Sequence, residues 1–98
     1  MVHNRMAELF EKAAATVSEF GKAGNQLTQE DQLLIYGLFK QAKFGNVTGS
    51  RPGVFSPTER TKWDAWNANK DKSQEAAAAE YVGVARRLLP ADWSSRIN

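Results

Sequence analysis

The chain has 98 residues, which fits a single domain that can bury a core without cross-links. It has no cysteine and one histidine, so disulfides and thiol chemistry are excluded and no metal site is expected. Thirteen lysines and arginines stand against eleven aspartates and glutamates, and the resulting net charge of +2 does not by itself indicate nucleic-acid binding.

No stretch of the sequence predicts a membrane helix or an export signal. No apolar run approaches the ~20 residues that a membrane span needs. Arg5, Glu8 and Glu11 interrupt the apolar residues near the N-terminus, which is unlike a signal peptide. We therefore expect a cytoplasmic protein, with His3 as a solvated residue near a frayed N-terminus.

Two helices are predicted in the first half of the chain. The first spans residues 4–20, where apolar side chains recur at helical spacing before Gly21. Its apolar stripe consists of Met6, Leu9, Phe10, Ala13, Val17 and Phe20. The second spans residues 28–44, with Thr28 as its cap and Gly45 after its end. Apolar side chains cover more than half of its circumference, so this helix should have neighbours on two sides.

A long connection and a third helix follow. Residues 45–55 are rich in glycine, and the segment is longer than is usual between packed helices. We expect it either to cross over the bundle or to line a site. The third helix is predicted over residues 57–69, because Ser56, Pro57 and Glu59 form a capping box with proline at the first helical position.

The fourth helix is predicted over residues 74–89, between Ser73 as its cap and Pro90, and it contains a run of alanines. The tail over residues 91–98 is polar and is expected to be loose, although Trp93 could pack back onto the bundle. No segment shows the alternation that is typical of strands. The predicted fold is all-α, a bundle of four helices in one domain.

Aromatic rings stand beside cations at two places in the predicted helices. Tyr36, Phe39 and Lys40 occupy positions i, i+3 and i+4 of the second helix and so share one face. Lys62 and Trp66 are likewise four residues apart in the third helix. A ring next to a fixed cation suits a ligand that carries both a flat base and phosphate groups.

In their order along the chain, these segments resemble the acyl-CoA-binding protein family. The residues that carry the resemblance are Tyr36-Gly37-Leu38-Phe39-Lys40, Gln41-Ala42, Arg51-Pro52-Gly53 and Lys62-Trp63-Asp64-Ala65-Trp66-Asn67. The resemblance runs from about residue 10 to about residue 88. It implies a monomeric four-helix bundle in up-down-down-up order, with a long crossover loop between helices 2 and 3.

The resemblance also implies a non-enzymatic intracellular carrier of medium- to long-chain acyl-CoA esters. In such a carrier the acyl chain lies in a helical groove, Lys40 and Lys62 contact the CoA phosphates, and Tyr36 packs near the base. The expected ligand-binding residues are Tyr36, Phe39, Lys40, Lys62, Tyr81, Leu33, Trp63, Ser18, Thr58, Gly37 and Leu38. For the lysines the alternative is a solvated surface side chain, and for the aromatic residues it is core packing.

Three positions depart from the family pattern. Phe39 stands where a tyrosine is usual, so one hydroxyl contact is missing. Ser18 and Thr58 stand where the family carries basic residues, which lowers the local positive charge. Lys43, one turn beyond Lys40, could compensate for that loss.

Two loop segments complete the expected site. Residues 21–25 form a turn that is longer than is common in the family, and with Gln32 and Leu33 it could border the acyl slot. The Arg51-Pro52-Gly53 segment is interpreted as a loop organiser, because proline fixes one dihedral angle and glycine permits a turn.

Two other classes of function stay open. A helical protein-interaction module could present an apolar groove to a partner helix. A small enzyme acting on CoA thioesters is disfavoured, because the chain lacks cysteine and its histidine is terminal. We therefore expect neither enzymatic activity nor a cofactor. The expected partners are acyl-CoA esters, with transient contacts to membranes or acyl-CoA-using enzymes and none to nucleic acid.

Overall fold

The computed structural model describes residues 4–98, and this range contains four long helices, one short helix and no strand. The helices are α1 (Arg5–Lys22), α2 (Gln29–Phe44), α3 (Pro57–Asn67), α4 (Gln74–Leu88) and α5 (Ala91–Ser94). The predicted all-α fold with four long helices is confirmed. His3, which was expected to be solvated, lies outside the described residues.

Three of the long helices begin with a side-chain cap. The side chains of Asn4, Thr28 and Ser73 each accept a hydrogen bond from the backbone N–H three residues further on, at 3.1, 3.1 and 3.0 Å. These bonds satisfy backbone donors that the first turn of a helix otherwise leaves free. The starts of α2 and α4 are therefore fixed locally, as the sequence predicts.

The capping box predicted at Ser56 is wrong. Pro57 does occupy the first position of α3, but the Ser56 side chain makes no capping hydrogen bond. The Ser56 backbone N–H, which Glu59 would have to reach in a capping box, instead donates to the Gly53 carbonyl at 3.0 Å. A tight turn over residues 53–56 therefore competes with the box for the same donor.

Helix α4 is the centre of the bundle, because it packs against both α1 and α2. The buried apolar cluster consists of Phe10, Ala13, Phe20, Ile35, Leu38, Tyr81, Val82, Val84, Ala85, Leu89 and Ile97. Helix α3 packs on α2 and contributes no buried residue. The α2 helix thus has neighbours on two sides, as predicted, and the space between α2 and α3 lies close to the surface.

Gly37 sets how closely α3 approaches α2. A Cβ atom built at Gly37 would lie 2.2 Å from the backbone oxygen of Ala65 and 2.8 Å from the side-chain nitrogen of Asn69. Real Cβ atoms essentially never come within 3.0 Å of such an atom. Only glycine therefore permits this approach, which brings the backbone of α3 onto the face of α2.

A buried amide joins the end of α2 to the two connections beside it. Gln41 is fully buried, and its Nε2 donates to Asn46 Oδ1 at 2.9 Å and to the Lys72 carbonyl at 2.8 Å. Asn46 Oδ1 also accepts from the Asp71 backbone N–H at 2.7 Å. These bonds join the C-terminal end of α2 to the connection that follows α3, because Asn46 lies just after α2 and residues 71 and 72 lie between α3 and α4.

The C-terminal tail is docked on the bundle, so the expected loose tail is wrong, and the alternative that Trp93 packs back onto the bundle is confirmed. Residues 91–94 form α5, the Trp93 ring packs edge-on against Phe20 with centroids 5.4 Å apart, and Ile97 is 0% exposed. The Arg86 guanidinium donates to the Ile97 carbonyl at 3.0 Å. A few apolar residues in a short polar segment are a weak sequence signal, and the site that receives Ile97 exists only after α1 and α4 have packed.

Candidate functional site

The Tyr36 ring lies between two lysines that come from different helices. The Lys40 Nζ is 5.7 Å from the ring centroid and the Lys62 Nζ is 5.3 Å from it. All three side chains are half-buried. Tyr36 and Lys40 share a face of α2, as their spacing predicts, whereas Lys62 reaches the ring only because α3 lies against α2. The structure therefore brings together the three residues that the sequence marks most clearly.

Three aromatic rings lie around the ammonium group of Lys40. Besides Tyr36, the rings of Phe44 and Trp66 lie 5.0 and 5.6 Å from its Nζ. Within residues 4–98, neither Lys40 nor Lys62 has a carboxylate within ion-pair distance. Two ammonium groups that face aromatic rings and lack a counter-charge favour an anionic ligand, and charge-assisted bonds to phosphate are strong.

An open groove that includes Lys62 runs between α2 and α3. One cavity of about 270 Å³ is lined by Gln29, Gln32, Leu33, Tyr36 and Lys62. A second, also of about 270 Å³, is lined by Gln29, Leu33, Pro57, Thr58, Thr61 and Lys62. The two cavities share three lining residues, so we treat them as one α2–α3 groove. Its lining combines the cation of Lys62 with apolar surface from Leu33 and Pro57.

The two tryptophans of α3 have different environments. Trp66 Nε1 donates to the Gly45 carbonyl at 2.8 Å and so ties α3 to the residue that ends α2. Trp63 is half-buried, and its Nε1 has no protein acceptor among residues 4–98. Trp63 is not among the residues that line the α2–α3 groove, so its predicted contact with a ligand stays a prediction.

Phe39 and Tyr81 belong to a cluster of rings in the interior. The ring of Phe39 stacks on Phe10 at 5.7 Å, and Tyr81 meets Phe10 edge-on at 5.2 Å. Tyr81 is 2% exposed, and its burial raises the pKa of the phenol to about 12. These contacts are the core packing that the sequence leaves open as an alternative, and the predicted ligand contacts of Tyr81 and Phe39 stay predictions.

Gly37 and Leu38 are buried, and their positions serve packing. Leu38 is 0% exposed in the core, and Gly37 faces the backbone of α3. Neither presents surface in this structure, and their predicted contact with a ligand stays a prediction.

The altered positions lie apart from one another. Thr58 is exposed and lines the α2–α3 groove, whereas Ser18 is exposed on α1. Lys43 does not compensate for the lost cations, because its Nζ pairs with Glu11 at 2.8 Å on the side of α2 that faces α1. Of the two lysines beside Tyr36, only Lys62 lines the groove, so the positive charge of its lining rests on Lys62.

Arg51 organises the loop as predicted. Its guanidinium donates to both carboxylate oxygens of Asp64, at 2.8 and 2.7 Å, which fastens the α2–α3 connection to α3. The hydrogen bonds from Arg51 lower the pKa of Asp64. The charge of Arg51 is thus already matched within the protein, and the arginine is poorly placed to bind a further anion.

Sequence reasoning missed several residues of the site. Phe44 stands four residues after Lys40, so helical spacing alone could have indicated its contact with the ammonium group. Gln29 and Thr61 line the groove but carry no distinctive motif. Their roles depend on which faces of α2 and α3 meet, and the sequence does not state that.

Two further classes of site receive no support from the described residues. No helix within residues 4–98 combines the length and apolar character needed to cross a membrane. The same range contains no group of three or more His, Cys, Asp and Glu side chains that could hold a metal ion.

The fold and the groove define a small all-helical ligand-binding domain. The chain belongs to the acyl-CoA-binding protein family, because its residues 7–85 match the family model described as acyl CoA binding protein. The family that the sequence motifs resemble is therefore confirmed. This is a family of non-enzymatic carriers, so the expectation that the chain is not an enzyme is confirmed at the level of the family.

Individual relatives cover nearly the whole chain. A Brassica napus protein named acyl-CoA-binding protein is 44% identical over 90 residues, which are 92% of this chain and 95% of that protein. The crystal structure of Oryza sativa acyl-CoA-binding protein 2 is 44% identical and has a TM-score of 0.74, covering 85% of this chain and 89% of that one. That of a Moniliophthora perniciosa family member is 32% identical with a TM-score of 0.77, covering 98% and 94%.

Proposed function

We propose that the protein is a cytoplasmic, monomeric carrier that binds medium- to long-chain acyl-CoA esters one to one and performs no chemistry on them. The observation that carries the proposal is the Tyr36 ring between Lys40 and Lys62 at the α2–α3 groove. The relatives named above are acyl-CoA-binding proteins, and the motif residues of this chain are the ones assembled here. Transient contact with membranes or acyl-CoA-using enzymes is part of the proposal.

The two lysines suit the phosphates of CoA. Lys40 would contact the 3′-phosphate and Lys62 a further phosphate, with the Tyr36 ring between them packing near the adenine. Both lysine residues are half-buried and lack a carboxylate partner among residues 4–98, so an incoming phosphate displaces no ion pair. A charge-assisted bond of this kind contributes about 1.5–3 kcal/mol.

The apolar part of the groove suits the acyl chain. Leu33 and Pro57 line the groove together with Lys62. An acyl chain attached to a head group at Lys62 can therefore contact this apolar surface directly. Each methylene removed from water contributes about 0.8 kcal/mol, so two more carbons raise the affinity roughly tenfold while the groove has room. A groove for a partner helix, the alternative function, would not account for two uncompensated lysines on one ring.

Calorimetry with palmitoyl-CoA, free CoA and free palmitate tests the proposal. We expect one-to-one binding of the ester and much weaker binding of each fragment, because the site holds the head group and the chain together. A free-thiol assay on the same mixture should show no release of CoA. Equal affinity for palmitate and its CoA ester would overturn the proposal, since the lysines would then contribute nothing.

A matched pair of variants sharpens the test. Lys40→Gln should weaken ester binding by about 1.5–3 kcal/mol, the worth of one charge-assisted bond. Arg87→Gln, which removes the same charge from an exposed site on α4, should leave the affinity unchanged. If both variants lose affinity equally, net charge rather than a phosphate contact explains the effect.

A further inference from the structure

Val54 and Phe55 form an exposed apolar tip at the end of the connection between α2 and α3. Phe55 is 98% exposed and Val54 is 68% exposed. Neither belongs to the buried apolar cluster or to the partly buried residues packed against it. Scattered apolar residues are ordinary on a protein surface, but two adjacent ones that include an almost bare aromatic ring suggest a contact with something outside the chain.

The tip is held in place from both sides. The Ser56 backbone N–H donates to the Gly53 carbonyl at 3.0 Å, so Val54 and Phe55 occupy the two central positions of a closed turn. Before the turn, Arg51 is fastened to Asp64 of α3 by two hydrogen bonds. Directly after it, Pro57 begins α3. The two apolar side chains therefore project from a fixed turn.

The tip adjoins the mouth of the α2–α3 groove. Pro57 and Thr58, which follow Phe55 closely in the chain, line that groove together with Lys62. Of the three cations in residues 51–62, Arg51 is paired with Asp64, which leaves Arg60 and Lys62 against the carboxylate of Glu59. An apolar projection and cations thus stand beside the opening that an acyl chain would use.

We propose that the Val54–Phe55 tip inserts into lipid bilayers with anionic headgroups and docks the groove mouth on the membrane. Neither residue lines the groove, so the tip is a projection, which suits the soft interior of a bilayer. Nearby lysine and arginine side chains favour anionic headgroups. A contact of one aromatic and one β-branched side chain is weak enough to be reversible. Docked in this way, the protein would pass an acyl chain between the bilayer and the groove without exposing the chain to water. This consequence rests on the proposed function.

Co-sedimentation with vesicles of phosphatidylcholine and phosphatidylserine tests the proposal in the absence of ligand. We expect the protein to bind these vesicles and Phe55→Ser to lower the partition coefficient about tenfold, as the loss of one inserted ring implies. Phe55→Trp should keep the binding, because tryptophan favours the membrane interface. Because residue 55 is exposed, these variants should retain the helix content of the parent chain.

Leu34→Ser is the matched control, since Leu34 is an apolar residue 39% exposed on α2 and away from the tip. It should leave vesicle binding unchanged. Calorimetry with palmitoyl-CoA separates the two proposals: Phe55→Ser should bind the ester as the parent does. If the parent fails to bind the ester but its vesicle binding depends on Phe55, the proposed function fails and the docking tip stands.

Three results would overturn the docking tip. In the first, the parent protein binds no vesicles; in the second, Phe55→Ser binds them as well as the parent does. In the third, Phe55→Ser changes the sedimentation of the protein from dimer to monomer and leaves vesicle binding unchanged. The tip would then be a contact between two copies of the chain.

Discussion

Replacing Gly37 with alanine tests the approach of α3 to α2 on which the lysine pair depends. In a helix interior, glycine to alanine ordinarily stabilises by up to about 1 kcal/mol. Here the new Cβ would lie 2.2 Å from the Ala65 backbone oxygen, whereas ordinary contacts begin at 3.4 Å. The obstructing atom belongs to the backbone, so α3 must move away from α2 by about 1 Å.

The magnitude follows from the two opposing effects. Overpacking a well-filled contact costs about 1–3 kcal/mol, and a clash with rigid backbone belongs at the upper end of that range. After the gain in helix propensity is subtracted, we expect Gly37→Ala to lower the free energy of unfolding by about 1–2 kcal/mol. In a domain of this size each kcal/mol lowers the melting temperature by about 4–8 °C.

Gly83→Ala is the matched control. Gly83 lies inside α4, is exposed, and a Cβ built on it meets nothing within 4 Å. This variant should raise the stability by about 0.5–1 kcal/mol. Urea titrations followed by circular dichroism measure both variants, and calorimetry with palmitoyl-CoA should show weaker binding for Gly37→Ala, because Lys62 moves away from Tyr36. The reasoning is refuted if both glycine variants are stabilised alike.

Two further predictions concern residues that the structure places in the core. Ile97→Ala should lower the free energy of unfolding by about 2–5 kcal/mol, because a fully buried side chain is removed; a urea midpoint equal to that of the parent would show that the tail is not docked. Tyr81 has a pKa raised by burial from 10.0 to about 12, so the folded state holds a proton that the unfolded chain loses, and stability should fall as the pH rises between these values. In Tyr81→Phe this part of the decline should disappear when unfolding is followed across that range, and an unchanged decline would mean that other groups cause it.

Signals that are local in the sequence determined where most of the helices lie and to which family the chain belongs. The spacing of apolar residues, the caps at Thr28 and Ser73, and the glycine at residue 45 were sufficient to place α2 and the start of α4. These signals act within a few residues, so they can be read from the sequence without knowing which helix packs against which. The order of the cation and aromatic motifs was likewise enough to indicate the family.

Other features required the folded chain. Lys40 and Lys62 are 22 positions apart in the sequence, and they share the Tyr36 ring only because Gly37 lets α3 lie on α2. The sequence could mark each lysine, but it could not measure how close the two helices come.

The buried positions show the same limit. Tyr81 and Leu38 carry side chains that suit either a ligand or a core, and only the packing of α4 against α1 and α2 shows that both are buried. Ile97 became a core residue because α1 and α4 leave a site for it. The sequence by itself determined the helices and the family, and the tertiary structure decided which side chains face the groove, because exposure is set by contacts between residues far apart in the chain.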